Sequence, residues 1–219
     1  MVGLGVWIGA LLIGLSAPRA GALDVAEVVR KVQERYDATR EFTADVTQEM
    51  TIASLGKTTS AHGTVAFKKP GKMRWELTDG DPQVIVADGT TLWLYQPKEH
   101  QVLKTPFDAA FHSTTPISFL TGVGRISDDF IATLDGTDAD GKRLYLMLVP
   151  RHDAEQLGTL RLAVARDSYD IEGAEIRDPL GNASRVRFEH IQRNGDIADD
   201  RFVFQVPPGV DVISSPFTQ

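Results

Sequence analysis

The chain has 219 residues, 23 of them basic and 30 acidic, with five histidines, no cysteine and a net charge of −7. That acidity excludes nucleic acid as the natural partner, because gripping phosphates requires clustered Lys and Arg, and it excludes an anionic membrane surface for the same reason. Without cysteine there are no disulfide staples, so stability must come from a buried core, for which a hydrophobic fraction of 42% is ordinary.

Residues 1–18 carry no charge, and residues 2–15 are nearly all apolar or glycine. The run ends at Ala20-Gly21-Ala22, a small-x-small pattern just before the first acidic residue, Asp24. An apolar stretch of that length falls short of the roughly 20 residues a membrane span needs. Residues 1–22 therefore read as a secretory signal peptide and residues 23–219 as one mature domain. Cleavage leaves 22 basic against 30 acidic residues. With no cysteine to acylate after the cleavage site, a soluble protein free in the periplasm is expected.

Residues 24–39 read as an amphipathic helix. Val25, Val28, Val29, Val32 and Tyr36 recur on one face, and Asp24 is placed to cap the first turn. After Arg40 the period drops to two. Phe42, Ala44, Val46, Gln48 and Met50 alternate with polar residues, as on a strand with one buried face. The alternation returns in residues 63–69 (Val65, Phe67) and 72–78 (Met73, Trp75, Leu77). Residues 83–87 and 91–95 flank Asp88-Gly89, a hairpin signal, and the second carries Leu92 and Leu94. Further strands are expected at 100–104, 130–134, 143–149, 160–166, 171–177 and 184–191, with a last edge strand at 202–206, before Pro207-Pro208. About ten or eleven antiparallel strands suit a curled, unclosed barrel better than a flat sheet. Residues 106–129 interrupt the pattern. They contain Phe111, Pro116, Ile117, Phe119 and Leu120 without alternation, and read as one or two short helices forming a lid over the opening.

Signs of catalysis are missing from the sequence. The five histidines (His62, His100, His112, His152, His190) show no metal-ligand spacing, and there is no Gly-x-Ser-x-Gly elbow. Gly122-Val123-Gly124 lacks the context of a phosphate cradle. The adjacent pairs Asp128-Asp129 and Asp199-Asp200 suit helix caps better than metal ligands. Neither an enzyme nor a cofactor is expected. An apolar sheet face with an apolar segment across its opening describes instead a closable pocket for an apolar ligand.

The segment Phe67-Lys68-Lys69-Pro70-Gly71-Lys72-Met73-Arg74-Trp75-Glu76, followed by Val86-Ala87-Asp88-Gly89-Thr90-Thr91-Leu92-Trp93-Leu94-Tyr95-Gln96-Pro97, resembles the core signature of the LolA family of periplasmic lipoprotein carriers. Thr115-Pro116-Ile117-Ser118-Phe119-Leu120, Asp178-Pro179-Leu180-Gly181-Asn182 and the stretch from Phe202 to Ile213 extend the likeness, in order, over the mature chain. The resemblance implies a mainly β, single-domain unclosed barrel with an α-helical lid. It also implies a monomeric chaperone that takes lipoproteins by their acyl chains from an inner-membrane ABC transporter and hands them to an outer-membrane receptor. A carrier of other lipids or glycolipids, or a lipoprotein-sensing module, is the alternative on the same fold. The apolar sheet face expected to form the acyl-chain cavity comprises Phe42, Val46, Met50, Val65, Phe67, Met73, Trp75, Leu77, Leu92 and Leu94, of which Met73 and Trp75 match the family's cavity-lining positions. Lys69 stands where the family usually has an arginine that latches the lid through backbone carbonyls. Lys lacks the planar fork of Arg, so a weaker latch is expected.

Overall fold

A computed structural model of the protein describes residues 23–110, 125–151 and 158–214. The signal segment lies outside this range, and so do the five lid residues Phe111, Pro116, Ile117, Phe119 and Leu120, together with His112 and His152.

Helix α1 (Val25–Ala38) starts where the sequence places it: the Asp24 carboxylate accepts from the Ala26 amide at 3.0 Å. Twelve strands follow: β1 (Glu41–Ile52), β2 (Lys57–Lys68), β3 (Lys72–Leu77), β4 (Gln83–Asp88), β5 (Thr91–Gln96), β6 (Gln101–Pro106), β7 (Phe130–Thr137), β8 (Arg143–Pro150), β9 (Thr159–Ala165), β10 (Ile171–Arg177), β11 (Ala183–Arg193) and β12 (Asp211–Ser214). Two single-turn helices, α2 (Phe107–Ala110) and α3 (Ile126–Asp129), lie at the two ends of the expected lid segment 106–129. The strands form one sheet in the order β12-β6-β5-β4-β3-β2-β1-β11-β10-β9-β8-β7, in which β7 and β12 are the edges among the described residues and the barrel is open.

The long hairpin β1–β2 is the hub. β1 pairs β2 from Glu41↔Lys68 to Ile52↔Lys57, and on its other side it pairs β11, 130 and more residues away in sequence. The registers align one apolar face across the sheet: Phe42, Phe67, Met73, Ala87 and Leu92 in one row, and Val186, Ala174, Leu162, Leu146 and Leu134 in another. Gly63 is required inside this array, because a Cβ there would sit 1.7 Å from the Glu76 carbonyl oxygen of β3.

Two buried clusters share the concave face. Under α1, Val28 and Val32 pack with Ile126, Phe130 and the leucines of β8 and β9 (Leu144, Leu146, Leu148, Leu160, Leu162). Gln33 fastens α3 to α1 by accepting the Ile126 amide at 3.0 Å. The other cluster lies over β1–β4 and β11. It is built from Val46, Val65, Phe67, Met73, Trp75, Leu77, Phe107 and Phe188.

Two expectations need correcting. The first concerns the last strand. Residues 202–206 do not form it: residues 199–202 make a 3-10 turn that packs on β3 and β4, and the chain then crosses the outer face, with Phe204 stacked on Trp93 at 5.7 Å. The closing strand is β12, beyond the two prolines, and it runs parallel to β6, so the sheet is not purely antiparallel. The reason is local. Phe202 and Phe204 are apolar at alternate positions, which mimics a strand, but Phe202 is buried in the turn that packs on β3 and β4, and Phe204 lies against Trp93 and Tyr95 of β5. The second concerns Asp199, which is an anchor rather than a cap. Its carboxylate takes Lys68 Nζ and Lys72 Nζ, each at 2.8 Å, and these contacts hold its pKa down to about 2, chiefly through the Lys68 hydrogen bond.

Candidate functional site

Between the C-terminal half of α1 and the sheet lies a narrow crevice, about 60 Å³ in volume and open to solvent. Its floor is Phe42, Phe67, Phe188 and Ile191, and its roof is Val32 and Tyr36 from α1 with Thr39, which caps that helix. Phe42 and Phe67 stack at 4.8 Å between centroids, and Phe188 meets Phe42 edge-on at 6.0 Å. Behind this floor Trp75 stands edge-to-face with both Phe67 (6.4 Å) and Phe188 (6.2 Å).

One β-bulge sets two residues of this lining. Pairing of β1 with β11 slips between Thr43/Asp45, and His190 takes up the extra residue at φ 52°. Phe188 faces inward by alternation. The inserted residue reverses the parity, so that Ile191 and Arg193 face the same crevice. Phe188 could have been found in the sequence, since it alternates with Val186. Ile191 and Arg193 could not, because only the pairing reveals the bulge.

The rim is polar and mostly neutralised. Asp170, buried, accepts Arg35 Nε at 2.5 Å, an Arg193 guanidinium nitrogen at 2.6 Å and the Ser168 hydroxyl at 2.7 Å, tying α1 to the β9–β10 turn and to β11. Burial pushes the Arg193 guanidinium below its usual pKa, with Asp170 acting against the shift. Lys69 is different. Its amine donates to the Tyr36 carbonyl at 2.6 Å and lies 3.7 Å from the centroid of the Tyr36 ring, with no carboxylate in hydrogen-bond contact among the described residues. Burial lowers its pKa, and the more distant Asp37 opposes that only in part. Within the described residues, then, Lys69 fastens to the last turn of α1. Its expected contacts with lid residues 111–124 fall outside the described range.

The residues expected to line a cavity divide into three groups. Val46, Val65, Phe67, Met73, Trp75 and Leu77 are buried together, and Phe42 and Leu92 pack against them half-buried. Leu94 is half-buried and stands outside the cluster, where β5 nears the sheet edge. Met50 is 48% exposed. The β1–β2 hairpin outruns β3, whose pairing with β2 begins only at Gly63, so beside Met50 the sheet ends at β2 on that side and no third strand curls over it. Tyr36, Tyr169, Asp170, Phe188, Ile191 and Arg193 were not anticipated as lining. Phe188 follows the alternation of β11, while the others come from the helix end, a turn and the bulge, where strand alternation carries no information.

No group of three or more His, Cys, Asp or Glu side chains able to hold a metal occurs among the described residues. His62 and His190 each face a single carboxylate, Asp79 at 2.9 Å and Asp45 at 2.7 Å, on the exposed surface. No helix among the described residues is long and apolar enough to cross a membrane.

Fold and crevice define a class: an open half-barrel made from one curled sheet, whose apolar concave side is reached past a helix. The chain belongs to the family described as outer membrane lipoprotein carrier protein LolA, whose model matches residues 37–205. A protein named outer-membrane lipoprotein carrier protein from Chromobacterium violaceum is 30% identical over 205 residues, covering 94% of each chain. One of the same name from Cupriavidus necator is 33% identical over 159 residues, 72% of this chain and 73% of that one. Among solved structures, an uncharacterized conserved protein from Thermus thermophilus shares the fold with a TM-score of 0.54 at 12% identity, covering 87% of this chain and 98% of that one.

Proposed function

We propose that this chain is a soluble periplasmic carrier, exported by its first 22 residues, that shields the acyl chains of lipoproteins between the inner and outer membranes. In this reading an inner-membrane ABC transporter loads it and an outer-membrane receptor unloads it. It acts as a monomer and catalyses no reaction. The observation that carries the proposal is the aromatic-floored crevice under α1, which leads onto a buried apolar cluster in a chain of the lipoprotein-carrier family.

The energetics set the design. Removing a 16-carbon acyl chain from water is worth about 12 kcal/mol at about 0.8 kcal/mol per methylene. A soluble protein can carry such a chain only in a water-free interior, and without ATP in the periplasm it must also release it. Part of the interior is already filled by Phe67, Trp75, Phe188 and Met73. Cargo therefore has to displace a packed empty state, which lowers the apparent affinity and keeps release feasible. Phe42, Val46, Met73 and Trp75 would hold the chains, Met73 adapting to their shape. Lys69, through Tyr36, would keep α1 seated when no cargo is present.

The test is to purify the protein from the periplasm and identify bound molecules by mass spectrometry, together with transfer of a diacylated lipopeptide from vesicles into solution. Acylated cargo in the wild type, and loss of transfer in Met73→Glu with the fold retained, are expected. A protein that extracts no lipopeptide from vesicles overturns the proposal.

A further inference from the structure

Among the described residues a single buried side-chain donor or acceptor has no hydrogen-bond partner: the Nε1–H of Trp75. Trp75 is only 5% exposed, so water does not serve as its acceptor. A buried indole N–H normally finds a partner, because leaving one unmade forfeits the hydration it had in the unfolded chain. Its neighbours among the described residues are apolar. Val65 and Ile85 are its cross-strand neighbours, and Phe67 and Phe188 present their rings to it. The sheet could satisfy the apolar requirement of this site with a phenylalanine, yet a donor is placed there, one ring behind the crevice floor.

From this we infer that Trp75 is the residue that recognises the linkage of the cargo: its Nε1–H donates to an ester or amide carbonyl at the head of an acyl chain once the chain has displaced the Phe67 and Phe188 rings. A carbonyl attached to a hydrocarbon chain is the acceptor that suits this place. It brings one oxygen to one donor and no charge into a region with no counter-ion. A free carboxylate would enter with an unpaired charge, and a plain hydrocarbon would leave the N–H unsatisfied. The donor thus works as a selectivity device, since a site built around a hydrogen bond discriminates against analogues that lack the matching group better than an apolar wall does. This inference rests on the carrier reading and adds to it the chemical class of the group gripped.

The decisive experiment compares two probes, a lipopeptide with ester-linked chains and the same lipopeptide with ether-linked chains, on wild type and Trp75→Phe. Wild type is expected to bind the ester probe about three- to tenfold more tightly than the ether probe. Trp75→Phe should bring ester binding down to the ether level. Because that variant also alters packing, a second readout uses the wild type alone: the indole N–H proton resonance of Trp75 should move downfield with the ester probe and stay in place with the ether probe. Equal wild-type affinities with an unmoved indole resonance overturn the inference and leave the carrier reading intact. Failure of both probes to bind overturns both.

Discussion

The concave face has two halves that differ in how completely they are packed. Under α1, the leucines of β8 and β9 meet Val28, Val32 and Ile126, all at most 2% exposed, and no polar side-chain atom in that cluster lacks a partner. Over β1–β4 the same face is lined by rings and a methionine, borders an open crevice and holds an unpartnered donor. Branched aliphatic side chains interlock with a helix to near-crystalline density. Flat rings pack well in few arrangements and part along their faces, and a thioether fills whatever shape remains. One half is finished as a scaffold, while the other is arranged to be re-entered. The salt-bridged Asp170 lies at their junction and fixes the end of α1 to both.

Substitutions can break or sharpen this division. The largest effect should come from Leu146→Ala in the aliphatic half. Loss of a buried leucine from a rigid site lowers stability by about 3 kcal/mol, seen as a shift of the urea midpoint, while lipopeptide affinity stays within about twofold. A large loss of affinity there would erase the distinction. In the aromatic half, Phe42→Ala should behave the other way round. Because Phe42 is half-buried beside the crevice, stability should fall by about 1–2 kcal/mol, less than for a fully packed ring, and lipopeptide affinity should fall about tenfold.

Between the halves, Lys69→Met removes the hydrogen bond to the Tyr36 carbonyl and the contact with its ring. A loss of about 1 kcal/mol is expected, reduced from the full value by partial exposure to solvent. It should appear as faster hydrogen exchange in the last turn of α1 and faster cargo exchange. Unchanged exchange in that turn would show that Lys69 does not seat the helix.

The smallest effect is expected outside the concave face. The folded pKa of Asp199, about 2, lies below its ordinary 3.8. Its contribution is therefore fully present above about pH 4 and is lost as the pH falls toward 2. Acidification through that window should raise hydrogen exchange in residues 199–204 ahead of the rest of the sheet, and Asp199→Asn should show the raised exchange already at neutral pH.

Much of this was legible in the sequence because it is local. Asp24 caps its own helix, the five apolar residues of α1 recur at the helical period, and period-two alternation marks Phe42 to Met50 and Met73 to Leu77 whatever their partners. Eleven of the twelve strands follow from such patterns and from turns such as Asp88-Gly89. The strap at 199–206 misled because alternation reports that one side of a segment is apolar, not what that side rests on. Met50 was placed too deep because period and composition do not register where neighbouring strands end.

The sequence by itself determined which residues are apolar together and therefore that a curled, mainly β chain with an amphipathic helix would form. Tertiary structure alone decided that β12 closes the order in parallel against β6, that a single extra residue at His190 turns Ile191 and Arg193 inward, and that Trp75 is left without an acceptor. Pairing across more than a hundred residues and satisfaction of a buried donor depend on which surfaces finally meet, and short-range periodicity holds no record of that.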